Sequence, residues 1–326
     1  MHKPEKSGVI LVNLGTPDEP TSEAVKRYLT EFLLDRHVVD LPKLFWSPLL
    51  RWIILPKKAP SSAKNYAKIW TDKGSPLMVY SQRLVTRLAS QLPDMNIALA
   101  MTYGKPDLKQ ALYQLRHCQT IKIIPLYPQY STTTTLAILN KVRGLVNRWS
   151  DKPAISYLHD YADHPMYITA LVYHIEAAFE TQGIPDTLVL SYHGIPMNYI
   201  KKRQDEYADR CALTTSLISA ALHKKNIHLD IQAAFQSRFG KGEWTKPDTT
   251  MVLKALANKG QHHVQVICPG FSVDCIETLE EIAMFNRTQF LTAGGKIFHY
   301  IPALNDSEEQ VKLMHQIITE SELNPL

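Results

Sequence analysis

Leu188-Val189-Leu190-Ser191-Tyr192-His193-Gly194-Ile195-Pro196 is a nearly continuous apolar run that ends in a histidine and a Gly/Pro turn. A strand that is apolar on both faces belongs in a parallel sheet covered by helices on both sides. Similar runs recur at Val9–Leu14, Ile97–Met101, Ile121–Leu126, Ala154–Leu158, Leu229–Phe235, Val264–Cys268 and Lys296–Tyr300. Amphipathic segments separate them: Thr21–Leu33, Asp107–His117, Leu136–Arg148, Met166–Thr181, Arg203–His223, Asp248–Lys259 and Asp274–Gln289. In the first of these, Ala24, Val25, Tyr28, Leu29, Phe32 and Leu33 share one face behind Pro20 and the candidate caps Thr21 and Ser22. Repeated βα units of this kind predict an α/β protein with doubly wound parallel sheets.

The strand ends repeat as well. Asn13-Leu14-Gly15-Thr16-Pro17, Thr102-Tyr103-Gly104-Lys105-Pro106 and Pro125-Leu126-Tyr127-Pro128-Gln129 close strands of the first half. Ser191-Tyr192-His193-Gly194-Ile195-Pro196, Phe235-Gln236-Ser237-Arg238-Phe239-Gly240 and Cys268-Pro269-Gly270-Phe271-Ser272 close strands of the second. The series predicts two similar Rossmann-like domains facing a central cleft, divided near residue 150 (1–150 and 151–326), with the last helix packing back on the first domain. Taken singly, each is equally well an ordinary βα turn.

Composition bounds the function. The chain has 326 residues, 45% hydrophobic and 21% charged, which excludes a disordered or fibrous protein. A net charge of +5 falls short of a nucleic-acid-binding composition. Four cysteines without a Cys-x-x-Cys pair predict a reduced, cytoplasmic protein. The polar start, Met1 to Gly8, lacks the apolar core of a signal peptide, and no stretch approaches the roughly 20 apolar residues of a membrane span. Gly-x-Gly-x-x-Gly, phosphate-loop and Gly-x-Ser-x-Gly signatures are missing from the strand ends, which disfavours nucleotide and serine-hydrolase chemistry.

Ligands of open parallel sheets bind beyond the carboxyl ends of the strands. His193 sits at such an end, where an imidazole accepts a proton near neutral pH or ligates a metal ion, or else is one structural histidine among 13. Asp274, Glu277 and Glu281 follow at spacings of three and four, which an α-helix lines on one face. An acidic first turn explains Asp274 through the helix dipole but not Glu281, and Glu280 points away. A third feature is Leu44-Phe45-Trp46-Ser47-Pro48-Leu49-Leu50-Arg51-Trp52-Ile53-Ile54-Leu55-Pro56-Lys57-Lys58. It is either a buried helix or an exposed lip (about 41–58) for an apolar ligand or a membrane surface. Trp244 and Tyr66 add aromatic area for a flat ligand.

On these stretches, together with Phe32-Leu33-Leu34-Asp35-Arg36 and Gly74-Ser75-Pro76-Leu77, the chain resembles the ferrochelatase family in its Gram-negative bacterial form, over residues 8 to 304. The resemblance implies insertion of Fe²⁺ into protoporphyrin IX, forming protoheme with release of two protons, the final step of heme synthesis. His193 matches the family's catalytic histidine and Glu277 the carboxylate facing it, both candidates to touch the metal. Glu281 matches the next acid of the proton and metal route. Leu14, Tyr66 and Trp244 match porphyrin-pocket positions, and Ser75 and Lys58 match positions near the propionates. Lys58 stands where Arg is expected, keeping the charge but losing the bidentate fork. Pro247-Asp248-Thr249 stands where Pro-Tyr-Thr is common. Fe²⁺ is implied as a substrate, with no resident cofactor and no iron–sulfur cluster, and the lip implies peripheral contact with the inner membrane. Which of His193 and Glu277 takes a proton and which hands over the metal stays open. The competing expectations are a chelatase for another tetrapyrrole such as coproporphyrin, or a non-catalytic tetrapyrrole-binding protein.

Overall fold

A computed structural model describes residues 7–239, 242–320 and 322–326. Gly240, which closes one of the quoted strand-end motifs, lies outside the described residues. The strands are β1 (Ser7–Asn13), β2 (Met95–Met101), β3 (Thr120–Pro125), β4 (Ala154–Tyr157), β5 (Thr187–His193), β6 (Asp230–Gln236), β7 (His263–Ile267), β8 (Ile297–Ile301) and β9 (Asn324–Pro325). Each of the eight expected strands is present, within two residues of its expected ends.

The chain forms two compact units. The first comprises Met1–Leu126, Thr132–Asp160 and Met314–Leu326, and the second Tyr127–Ser131 and Tyr161–Leu313. The first unit holds a sheet in the order β2-β1-β3-β4-β9, parallel except for β9. Val9 to Val12 of its central strand are fully buried, as a strand covered on both faces must be. The second unit holds the fully parallel sheet β6-β5-β7-β8. Val189, Ala234, Val264, Val266, Ile282, Phe290 and Phe298 form a core on one face of it. Each large aliphatic side chain so buried contributes about 1.5–3 kcal/mol.

Helix Ser22–Leu33 starts where its cap predicts: Thr21 Oγ1 accepts from Ala24 N at 3.3 Å, and Ala24, Val25, Tyr28, Leu29 and Leu33 are buried. Beyond it the chain enters the apolar stretch. This is a helix (Lys43–Leu49), a π-helical turn (Leu50–Ile54) and a second helix (Leu55–Ile69). The buried-helix alternative is wrong. Trp46, Leu50 and Leu55 face inward, but Leu44, Phe45 and Trp52 are 79%, 75% and 81% exposed. Two other expectations also change. The helix expected over Arg203–His223 is broken at Gln204, which has a φ of 51° between helices Met197–Arg203 and Tyr207–Lys224. The helix expected over Asp274–Gln289 is a π-helix, Glu277–Asn286, continued by helix Arg287–Thr292.

The root of the lip is held by one carboxylate. Asp35 accepts from the backbone N and ring Nδ1 of His37, both at 2.9 Å, and from the Tyr103 hydroxyl at 3.0 Å. Lys141 Nζ lies 3.5 Å from it, over the Tyr103 ring, and donates to Thr102 O at 2.8 Å. Burial pushes the Asp35 carboxyl up, but the His37, Lys141 and Tyr103 contacts outweigh this and hold it well below the usual range. A depressed carboxyl stabilises the fold at pH above its unfolded value of about 3.9, and that stability is lost as pH falls further. Asp35→Asn should therefore cost on the order of 2 kcal/mol at neutral pH. Urea denaturation repeated at falling pH should show the gap to the parent closing below about pH 4.

Candidate active site

His193 is the last residue of β5, half-buried, and its direction is fixed locally. Its Nδ1 lies 2.7 Å from Gly194 O, a carbonyl that only accepts, so Nδ1 carries the proton and the lone pair of a neutral ring sits on Nε2. The turn that follows needs glycine. Gly194 N donates to Gln236 O at 2.8 Å, and a Cβ on Gly194 would stand 2.8 Å from that same oxygen and 3.4 Å from Thr245 Oγ1 and the Trp244 ring. Thr245 secures the other side, its hydroxyl accepting from Ile195 N at 3.2 Å. Half-buried Trp244 pairs across a bridge with Pro196 and lines a cavity of about 480 Å³ with Gly194, Gln236, Arg238 and Lys246.

Gln236, at the tip of β6, joins this turn to the acidic element. Only 2% exposed, it accepts from Ser191 Oγ at 2.7 Å and donates from Nε2 to Glu277 O at 2.7 Å and, more weakly, to Glu281 Oε2 at 3.4 Å. A π-helix bonds i to i+5 and shifts its donors by one residue. Side chains fill in: Gln236 on the Glu277 carbonyl, and Asn286 Nδ2 on the Glu281 carbonyl at 2.9 Å.

The three acids therefore differ. Asp274 precedes the π-helix and is 3% exposed, accepting from Thr278 Oγ1 at 2.8 Å, Tyr300 OH at 2.6 Å and Asn305 Nδ2 at 2.7 Å. It does not share a helical face with the other two, and neutral donors fully engage it. Glu277 is half-buried. Glu281 accepts from Ser237 N at 2.7 Å and from the Ser237 hydroxyl. Burial raises its pKa, while the Ser237 donors and the nearness of His193 pull the other way. Among the described residues no three His, Cys, Asp or Glu side chains form a metal-holding group.

The remaining expected residues lie in the first unit. Leu14, half-buried, follows β1, and its backbone N donates to Asn13 Oδ1 at 2.8 Å. Ser75 is buried, its Oγ accepting from Thr16 Oγ1 at 2.8 Å. Tyr66, also buried, packs edge-on against Trp70, and Lys58 is half-buried on helix Leu55–Ile69. Sequence reasoning gave Gln236 and Ser237 no role, although a polar pair at a strand's carboxyl end is the signal that would have found them.

The fold is a chelatase-like one. It matches SirB from Bacillus subtilis, solved with Fe³⁺, at a TM-score of 0.55, covering 97% of this chain and 95% of that one at 10% identity. It also matches DR2241 from Deinococcus radiodurans, described as structurally similar to chelatases, at a TM-score of 0.51, covering 99% of this chain and 57% of that one at 9% identity. These likenesses are of fold alone. Sequence is more specific: the ferrochelatase family's sequence model matches residues 6–322. Curated ferrochelatases from Sodalis glossinidius, Hamiltonella defensa and Escherichia coli are 49%, 50% and 48% identical, over 97%, 96% and 96% of this chain and 94%, 98% and 98% of theirs. The chain belongs to the ferrochelatase family.

Gly194→Ala tests the turn. Its methyl meets backbone rather than a movable side chain, so insertion activity should fall at least tenfold through displacement of His193, with a thermal midpoint several degrees lower. Parallel rate and melting measurements check both.

Proposed function

We propose that His193 and Glu277 carry the ferrochelatase reaction in this chain, the insertion of Fe²⁺ into protoporphyrin IX with release of two protons. The observation that carries the reading is the fixed tautomer of His193, with Nδ1 committed to Gly194 O and Nε2 left as a proton acceptor, on the same unit as Glu277 and Glu281. A flat porphyrin keeps two pyrrole N–H groups in its plane and offers an incoming cation poor access to its lone pairs. A pocket that binds the buckled ring better than the flat one lowers the barrier. In this reading His193 Nε2 accepts a pyrrole proton, and Glu277 takes the second or hands over Fe²⁺. Glu281 serves the route by which cation or proton passes. Within the second unit Trp244, which lines the cavity beside Gly194, is the candidate porphyrin contact, and Leu14, Tyr66, Ser75 and Lys58 are the candidates that the family resemblance gives in the first unit. No iron–sulfur cluster is part of this reading: Cys118, Cys211, Cys268 and Cys275 are buried, and the sequence holds no Cys-x-x-Cys pair.

Anaerobic turnover of protoporphyrin IX with Fe²⁺, or with Zn²⁺ as an oxygen-tolerant stand-in, tests the assignment. His193→Ala should lose at least 100-fold in kcat while still binding porphyrin, the usual scale for a removed general base. Porphyrin binding without turnover in the parent protein would favour a carrier instead. Faster turnover of coproporphyrin would move the substrate.

The lip supports peripheral membrane contact. Leu44, Phe45, Trp52 and Ile53 are exposed beside Lys43, Arg51 and Lys57, an apolar surface with a basic fringe. Among the described residues no helix is long and apolar enough to cross a membrane. The protein should float with vesicles containing anionic lipid, and a Phe45→Glu/Trp52→Glu variant should remain in the aqueous fraction with its turnover in detergent retained. A parent protein wholly in the aqueous fraction removes the proposal.

A further inference from the structure

Ser237 adopts φ 65°, a left-handed conformation that glycine takes freely and side chains rarely do. Strained backbone of this kind persists only where its surroundings enforce it, and it gathers at functional sites. Here the conformation has a definite product. It turns the N–H and the hydroxyl of one residue onto the two oxygens of one carboxylate: Ser237 N donates to Glu281 Oε1 at 2.7 Å and Ser237 Oγ donates to Oε2. Gln236 Nε2 reaches the same Oε2 at 3.4 Å and the Glu277 carbonyl at 2.7 Å. Glu277 and Glu281 of the π-helix are thus tied to the tip of β6, the first through its backbone and the second through its side chain.

We infer that Ser237 is a positioning residue for cation transfer, its paired donors holding the Glu281 carboxylate in a single orientation along the route to Glu277 and His193. The inference rests on the reading of Glu281 as part of that route. A glycine at 237 would relieve the backbone and keep the N–H, so the serine side chain adds only the hydroxyl. Without that hydroxyl, Oε1 keeps a strong donor and Oε2 keeps only the long contact from Gln236, leaving the carboxylate free to turn about its own axis. Porphyrin binding does not depend on that rotation, whereas capture of a cation does.

Initial rates of Zn²⁺ insertion, with metal and porphyrin varied separately, distinguish these roles. Ser237→Ala and Ser237→Gly should each raise the metal KM about tenfold, the scale of one charge-assisted hydrogen bond, with the porphyrin KM unchanged. Ser237→Gly should melt no lower than Ser237→Ala, which separates backbone strain from function. Glu281→Ala should raise the metal KM at least as far, and adding Ser237→Ala to it should change nothing more. A parental metal KM in both Ser237 variants overturns the inference, as does a Ser237 effect that persists undiminished in the Glu281→Ala background. A parental metal KM in Glu281→Ala overturns the route itself, and the inference with it.

Discussion

The side-chain amide of Gln236 is the constraint on which the acidic half of the site depends. A buried primary amide has two acceptor and two donor sites to satisfy, and leaving one empty costs as much as a lost hydrogen bond. Ser191 Oγ and, at 3.6 Å, Cys268 Sγ occupy its oxygen, while the Glu277 carbonyl and the Glu281 carboxylate occupy its nitrogen. One side chain therefore ties β5, β6, the end of β7 and the π-helix together. The backbone oxygen of the same residue receives Gly194 N, which sets the turn behind His193. The candidate base and the candidate carboxylates are indexed to a single residue, so their relative placement does not accumulate error along the intervening chain.

The first unit solves a different problem. It must present large apolar side chains to the outside without unravelling the helix that bears them. Trp46 lies inside the fold with its indole N–H on Leu33 O at 2.7 Å, and Asp35 anchors the preceding turn through His37, Tyr103 and Lys141. Charge-assisted bonds in a partly buried setting resist fraying more than exposed pairs do. The lip is consequently firm at its root and apolar at its crest.

Much of this was legible in the sequence, for a physical reason. A strand buried on both faces cannot hide its composition, so β1, β5 and β7 are visible from apolar runs, and the half-exposed β4, β6 and β8 are visible with the help of the turns that end them. His193 was findable because strand ends are where α/β sheets expose chemistry. Helix Pro76–Gln91, absent from the expected helices, has adequate local signals in Ser75-Pro76 and the stripe Leu77, Leu84, Val85 and Leu88. Other features have no local signal. An all-round apolar segment reads identically whether it is core or lip, and only the fold exposes Trp52. The spacing of Asp274, Glu277 and Glu281 suggests an α-helical face because period 3.6 is the default. The π register depends on Gln236 and Asn286, one of them 41 residues away from the carbonyl it serves. The convergence of Asp35, Tyr103 and Lys141 is likewise tertiary.

The chain order of the two units bears on how the protein acquires its structure during synthesis. Apart from Tyr127–Ser131, the second unit is continuous over Tyr161–Leu313, whereas the first receives Met314–Leu326 only after all of the second has been made. Those late residues are structural: Ile318 O accepts from Lys122 Nζ at 2.6 Å, and β9 completes the sheet beside β4. On a ribosome adding roughly 5–20 residues per second, the second unit has all its strands before the first has its edge. The β4 edge, complete at Tyr157, stays open until Asn324 is added, roughly 8–30 seconds at that rate, in a unit whose lip is strongly apolar. Vectorial synthesis thus makes the N-terminal unit, although translated first, the later one to finish, and its exposed edge and lip are where a chaperone would find most to hold.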